Sequence, residues 1–136
     1  MITPEEILET MDSEAKKVCQ RTFIQERPNA TDEKLTTFIV SSLPYSESNK
    51  TMGEKDDYWL DLTVCYEIFV ADIKTNQNPK EFDAMTMKRL RTSLRDLFPI
   101  VTSKFKIVRP RIVIPASSDG KGYHYTRIQA KLTTMV

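Results

Sequence analysis

Cys65 and His124 are the pair of side chains in this sequence that can make a thiol nucleophile and its base, since His124 is the sole histidine. A thiol attacks as the thiolate, so it needs a glycine-rich turn, a helix N-terminus or a cation to lower its pKa. Cys65 sits instead in the middle of LTVCYEI, a strand-like run, and reads as a structural thiol. His124, in GYHYT, reads as a packed or interface side chain. Cys65 and Cys19 lie 46 positions apart and supply neither a disulfide framework nor a complete zinc site.

A second grouping is acidic. Glu54, Asp56, Asp57, Asp61 and Glu67 cluster around the start of that same strand. Carboxylates at a strand end can hold magnesium for a metal-dependent nuclease, provided that they converge. Asp56 and Asp57, however, lie in a polar stretch where charge is the default. The three glycines, Gly53, Gly120 and Gly122, cannot assemble a phosphate-binding loop, a dinucleotide fingerprint or a nucleophile elbow. No catalytic residue, cofactor or metal is expected.

The third grouping is basic. Lys88, Arg91 and Arg95 recur at helical spacing, and Lys104, Lys106, Arg109 and Arg111 alternate through a strand-like run. Tyr123 and Tyr125 follow, and basic strands with interleaved aromatics can stack on single-stranded nucleic acid. No RRM or KH signature accompanies them. Lys88, Arg91, Arg95, Arg109 and Arg111 are therefore candidates for an oligomer interface or a DNA-facing surface.

Six elements must position these residues. A helix is expected from Pro4 to Thr22, capped by Thr3 and Glu6, with Leu8, Met11, Ala15, Val18 and Thr22 on one stripe. Phe23–Lys34 reads as a loop with a short extended piece at Phe23–Gln25, and Leu35–Leu43 as a strand. A long mobile loop over 46–57 follows, with Ser46, Asn49, Lys50, Met52, Glu54 and Asp56 as candidate docking residues. Tyr58–Ala71 places Tyr58, Leu60, Leu62, Val64, Tyr66, Ile68 and Val70 on one face at period two. Such a strand would be on the order of 45 Å long, which predicts that part of it, or of the preceding loop, reaches out of the domain.

A second helix is expected from Pro79 to Phe98, capped by Asn78 and Glu81, with Met87, Leu90, Leu94 and Leu97 as its core stripe. Lys104–Ile114 is a strand whose Pro110 calls for an edge or a bulge. Tyr123–Met135 closes the chain, with Thr126, Ile128, Ala130, Leu132 and Thr134 on its less polar face. The order α-β-β-α-β-β predicts a single α+β domain over 1–136, a four-stranded, mainly antiparallel sheet with two helices packed on one face.

Composition bounds the rest. The chain has 136 residues, 40% hydrophobic and 29% charged, with a net charge of +1. No apolar run approaches the ~20 residues needed to cross a bilayer, and no membrane partner is expected. The charge is unevenly placed. Residues 1–79 carry 8 Lys/Arg against 15 Asp/Glu, and residues 80–136 carry 12 against 4. A chain with an acidic and a basic half can associate head to tail with copies of itself, or turn its basic half to nucleic acid.

The order of elements resembles the tail terminator, or tail completion, proteins of tailed phages and prophages. FIVSSLPY at 38–45, DYWLDLTVCYEIFVADIKTNQNPKEFDAMTMKRLRTSLRDLF at 57–98 and GYHYTRIQAKLTT at 122–134 carry the likeness. The resemblance implies a non-enzymatic virion protein assembled in the host cytoplasm. Its subunits would form a ring, typically a hexamer, at the head–tail junction or tail end. Tail tube and head connector proteins would be its neighbours, and DNA would pass non-specifically through the lumen. A small nucleic-acid-binding or processing protein using the basic half is the alternative.

Overall fold

The computed structural model describes residues 3–25, 35–43, 61–73 and 81–134. Helix α1 (Pro4–Ala15) opens as its sequence dictates. Thr3 is the N-cap and its hydroxyl accepts from the Glu6 amide at 3.2 Å, with Pro4 in the first turn. It stops seven residues earlier than the apolar stripe suggested. Residues 16–18 continue as turns, and Val18 and Cys19 pack on the core after the chain has left the helix. Thr22, expected at the end of that stripe, instead starts strand β1 (Thr22–Ile24).

Strand β2 (Thr37–Ser42) runs parallel to β1, and 12 residues separate the two in the sequence, the length a parallel connection needs. Strand β3 (Asp61–Ala71) lies antiparallel to β2. Helix α2 (Ala84–Arg95) is shorter than expected at its start. Its cap is Asp83, whose carboxylate accepts from the Thr86 amide at 3.2 Å and from the Thr86 hydroxyl at 2.7 Å. Glu81 is not a capping acid. It bridges Ile73 through both backbone groups, at 2.8 and 2.9 Å. Two-residue strand β4 (Ile100–Val101), long strand β5 (Phe105–Ser118) and strand β6 (Tyr123–Thr134) complete the chain.

Among the described residues the sheet therefore has six strands in the order β1-β2-β3-β6-β5-β4 and is mixed, and the element order is α-β-β-β-α-β-β-β. The expected four strands and the expected order α-β-β-α-β-β are corrected; four of the five strand pairs are antiparallel, and the β1–β2 pair makes the sheet mixed. β1 and β4, at three and two residues, are too short to show a period of two, and β1 supplies the parallel pair. Both exist because a neighbouring strand offers them backbone partners, which is information outside the local sequence.

The core occupies one face. Leu62, Val64, Tyr66, Ile68 and Val70 of β3 pack with Ile128, Ala130 and Leu132 of β6, beneath Ile7, Met11 and Ala15 of α1 and Met87, Leu90 and Leu94 of α2. Burying each of these large apolar side chains stabilises the fold by roughly 1.5–3 kcal/mol. On the opposite face a smaller cluster forms around Phe38, Val40 and Phe69, where the Phe38 and Phe69 rings stack at 4.6 Å. The part of the long strand expected before Asp61, and the loop at 46–57 with Ser46, Asn49, Lys50, Met52, Glu54 and Asp56, lie outside the described residues. Among the described residues no helix is long and apolar enough to cross a membrane.

Tyr66 is the polar point in this core. Its ring is fully buried and its hydroxyl donates to the Met11 carbonyl at 2.7 Å, pinning α1 to the centre of β3. Tyr66→Phe keeps the packing and removes only that bond, so it should cost about 1–2 kcal/mol. Urea unfolding checks this: the midpoint should fall with the slope unchanged.

Candidate functional site

Glu81 and Phe82 lie beside Ile73 and His124, and the C-terminus of α2 leads directly into β4, which pairs with Ile107. The helix thus runs antiparallel to β5, and its basic flank faces that strand. Arg91 donates from Nη1 to the Pro115 carbonyl of β5 at 3.2 Å, and the same carbonyl accepts from the buried Thr126 hydroxyl at 2.5 Å. Lys88 lies one turn before Arg91 and Arg95 one turn after it. Both are exposed, and neither makes an ion pair with a described residue.

β5 is irregular beyond Val108. Its register against β6 shifts three times, between Val108 and Arg111, Ile112 and Ile114, and Ile114 and Ser117. Pro110 lies in the first of these bulges, as its sequence position required, and the residue before it, Arg109, has a φ of 58°. The bulges also divide the predicted basic residues. Ile112 pairs with Ile128 and so belongs to the helix face, whereas Arg111 pairs with Gln129 and belongs to the opposite one. Lys88, Arg91 and Arg95 are brought together; Arg111 is not, and Arg109 stands exposed at the bulge.

β4 covers β5 only at Lys106 and Ile107, so among the described residues the outer side of β5 from Val108 onward has no neighbouring strand. That edge carries Arg109, Arg111, two prolines and three bulges, the devices by which sheets discourage the addition of another strand. Ile112 and Val113 are nonetheless 36% and 43% exposed there. What the flank presents to a partner is side chains rather than a backbone ladder.

The thiol–imidazole pairing does not form. Cys65 pairs with Gln129 and His124 with Val70, so the two sit five positions apart along the β3–β6 ladder, roughly 16 Å, on opposite faces. Burial pushes the Cys65 thiol up to about 11, helped by the nearby Glu67 carboxylate, so it stays protonated. His124 belongs to a different group. Its Nδ1 lies 2.5 Å from Asp72 Oδ1, with its ring stacked on Phe82 at 4.7 Å, which joins the ends of β3 and β6 to the approach to α2. No local pattern announces this pair. Asp72 and His124 are 52 positions apart and meet only through the β3–β6 register.

The remaining candidates are engaged or lie elsewhere. Of the acidic group, Glu67 accepts from Arg127 at 2.9 and 3.2 Å, while Glu54, Asp56 and Asp57 fall outside the described residues. Among the described residues no three His, Cys, Asp or Glu side chains gather as a metal site. Tyr123 donates its hydroxyl to the Leu35 carbonyl at 2.7 Å, and Tyr125 stacks on Phe69 at 5.5 Å, so both aromatics serve the smaller cluster. Lys104 pairs with Glu6 at 3.3 Å.

Comparison with protein-family models found no match, and comparison with the curated proteins found none either.

The raised Cys65 pKa has a definite consequence for stability. Below pH 9 the thiol is protonated in both folded and unfolded chains and contributes no pH dependence. From about pH 9 to about 11 only the unfolded thiol ionises, so stability should fall as pH rises, by about 2 kcal/mol at pH 11. Urea midpoints at pH 8 and pH 10 should converge more closely in Cys65→Ala than in the parent chain. Identical slopes in the two would place the thiol in water.

Proposed function

We propose that this chain is a structural assembly subunit that packs side by side with copies of itself into a ring, of the kind that terminates a phage tail. The observation that carries this reading is exposed charge that finds no partner among the described residues. Asp12, Glu14 and Glu6 find cations within the chain, at 3.2, 2.7 and 3.3 Å. Glu5 and Glu9 of α1, and Lys88, Arg89 and Arg95 of α2, are exposed and find no ion-pair partner among the described residues. A charge left unmatched within one molecule can be matched by the next.

A two-fold contact centred on the basic flank of α2 would set like charges against each other. A head-to-tail contact places it against acid and closes into a ring when the rotation permits. The blunted β5 edge supports the same reading, because it disfavours the open-ended growth of a shared sheet. The likeness of the segments at 38–45, 57–98 and 122–134 to tail terminator proteins supplies the phage context. In that context a hexamer, tail tube and connector neighbours, a virion location and DNA passing through the lumen are parts of the proposal.

The exposed cations also favour a second reading, a monomeric nucleic-acid-binding module. The two separate by mass. Light scattering on a sizing column, at several concentrations and two salt levels, should give a multiple of 15.8 kDa that grows with concentration. A chain that stays at the monomer mass and binds duplex DNA with a steep salt dependence would favour the nucleic-acid module.

A further inference from the structure

We infer that α1 is seated on the edge of the sheet through bound water, held between Asp12 of the helix and the hydroxyls of Thr22 on β1 and Ser41 on β2. Three side-chain oxygens carry the inference. Asp12 Oδ1, Thr22 Oγ1 and Ser41 Oγ are buried, and none finds a hydrogen-bond partner among the described residues. Ser41 as a whole residue is 0% exposed. A buried polar atom without a partner is costly, so native folds leave few of them. Three in one small region need a shared cause. This inference stands apart from the assembly reading.

The fold gathers the three under the same stretch of α1. Thr22 pairs with Ile39, while Ser41 lies two residues beyond Ile39 and pairs with Tyr66. Ile39 and Tyr66 belong to the main core, so both hydroxyl residues sit on the face that the helices cover. Strand spacing puts their Cα atoms roughly 8 Å apart, a separation suited to an intervening water. The residues at 16–21 turn the chain back, and α1 packs on β1 and β2. The Tyr66 hydroxyl fixes the helix in place by donating to the Met11 carbonyl at 2.7 Å, and Asp12 is the next residue. Burial raises the Tyr66 hydroxyl above its ordinary range, and the Glu14 and Asp12 carboxylates add to the effect, which sets Asp12 close to that ring.

The chemistry of the three oxygens suits water. A carboxylate oxygen only accepts, whereas each hydroxyl can donate as well as accept. One water that donates to Asp12 Oδ1 and accepts from Thr22 and Ser41 satisfies all three, and three bonds are usual for a buried water. A divalent cation fits less well. The Asp12 carboxylate already shares its other oxygen with Lys16 at 3.2 Å, and hydroxyls bring no further charge. Because β1 has only three residues, the same water would tie that short strand, as well as the helix, into the domain.

The test combines water relaxation with a double-mutant cycle on the intact chain, with circular dichroism as the check that each variant is folded. Magnetic relaxation dispersion of the water oxygen registers waters held for longer than nanoseconds. It should detect such water in the parent chain. Its amplitude should fall in Thr22→Val and in Ser41→Ala, and survive in Thr22→Ser, which keeps the hydroxyl. The urea midpoint should fall in Thr22→Val and in Ser41→Ala, and the double variant should lose less than the sum, because each single change already breaks the shared bridge. Removing a hydroxyl that has no bridge should instead relieve the fold. A parent chain without long-lived water therefore overturns the inference. So does a Ser41→Ala midpoint equal to or above that of the parent, and so do two effects that simply add.

Discussion

Five apolar side chains at every second position of β3 have to leave water together, and the rest of the molecule is arranged to let them. Leu62, Val64, Tyr66, Ile68 and Val70 cannot be hidden by a single helix, because one helical stripe covers only part of an eleven-residue strand. α1 and α2 share the task, and each contributes a short stripe of its own. The strand also sits between β2 and β6, so its backbone is paired on both sides along most of its length. Shifting its register by one residue would turn the whole set to the other face. That penalty fixes β3, and β3 in turn fixes where Asp72 ends up, where Tyr66 reaches α1, and which way β6 must run.

The same constraint explains what could be read from residues alone. The alternation of β3, the even face of β6 from Thr126 to Leu132 and the Met87, Leu90, Leu94 stripe are each local patterns with many repeats, and the structure buries all of them. Pro110 was informative for a different reason. A missing N–H must be accommodated wherever it falls, and here it falls in a bulge. The short strands β1 and β4 left no such trace. The start of α2 was misplaced because Asn78-Pro79 is as good a helix opening in sequence as Asp83 is in the structure, and only the Ile73–Glu81 bridge decides between them.

Of the basic residues, the helical spacing of Lys88, Arg91 and Arg95 survives as a shared flank because i, i+3 and i+7 are geometric neighbours in any helix. The strand residues could not be placed in the same way. Counting by twos along β5 puts Arg109 and Arg111 on one face, yet each bulge inverts the count, so the orientation of every residue after Val108 depends on where the extra residues are absorbed. Arg91 reads from the sequence as one of three cations on a candidate interface, and its bond to the Pro115 carbonyl has no signature in either segment. Burial had the opposite effect on Cys65. Its position within a dense strand already marked it as a packed thiol, and its register and raised pKa agree.

The three bulges of β5 have a consequence for how this chain can change over time. β3 has no slack: one residue gained or lost between Leu62 and Val70 inverts the core-facing set, so length there is effectively frozen. β5 beyond Val108 already carries three more residues than the stretch of β6 it follows. A deletion in that segment can remove a bulge and an insertion can widen one, with the hydrogen-bonded ladder re-forming on either side. The outer flank of the sheet is thus the region where this protein can vary its length, and with it the shape it presents, while leaving the centre of the fold undisturbed.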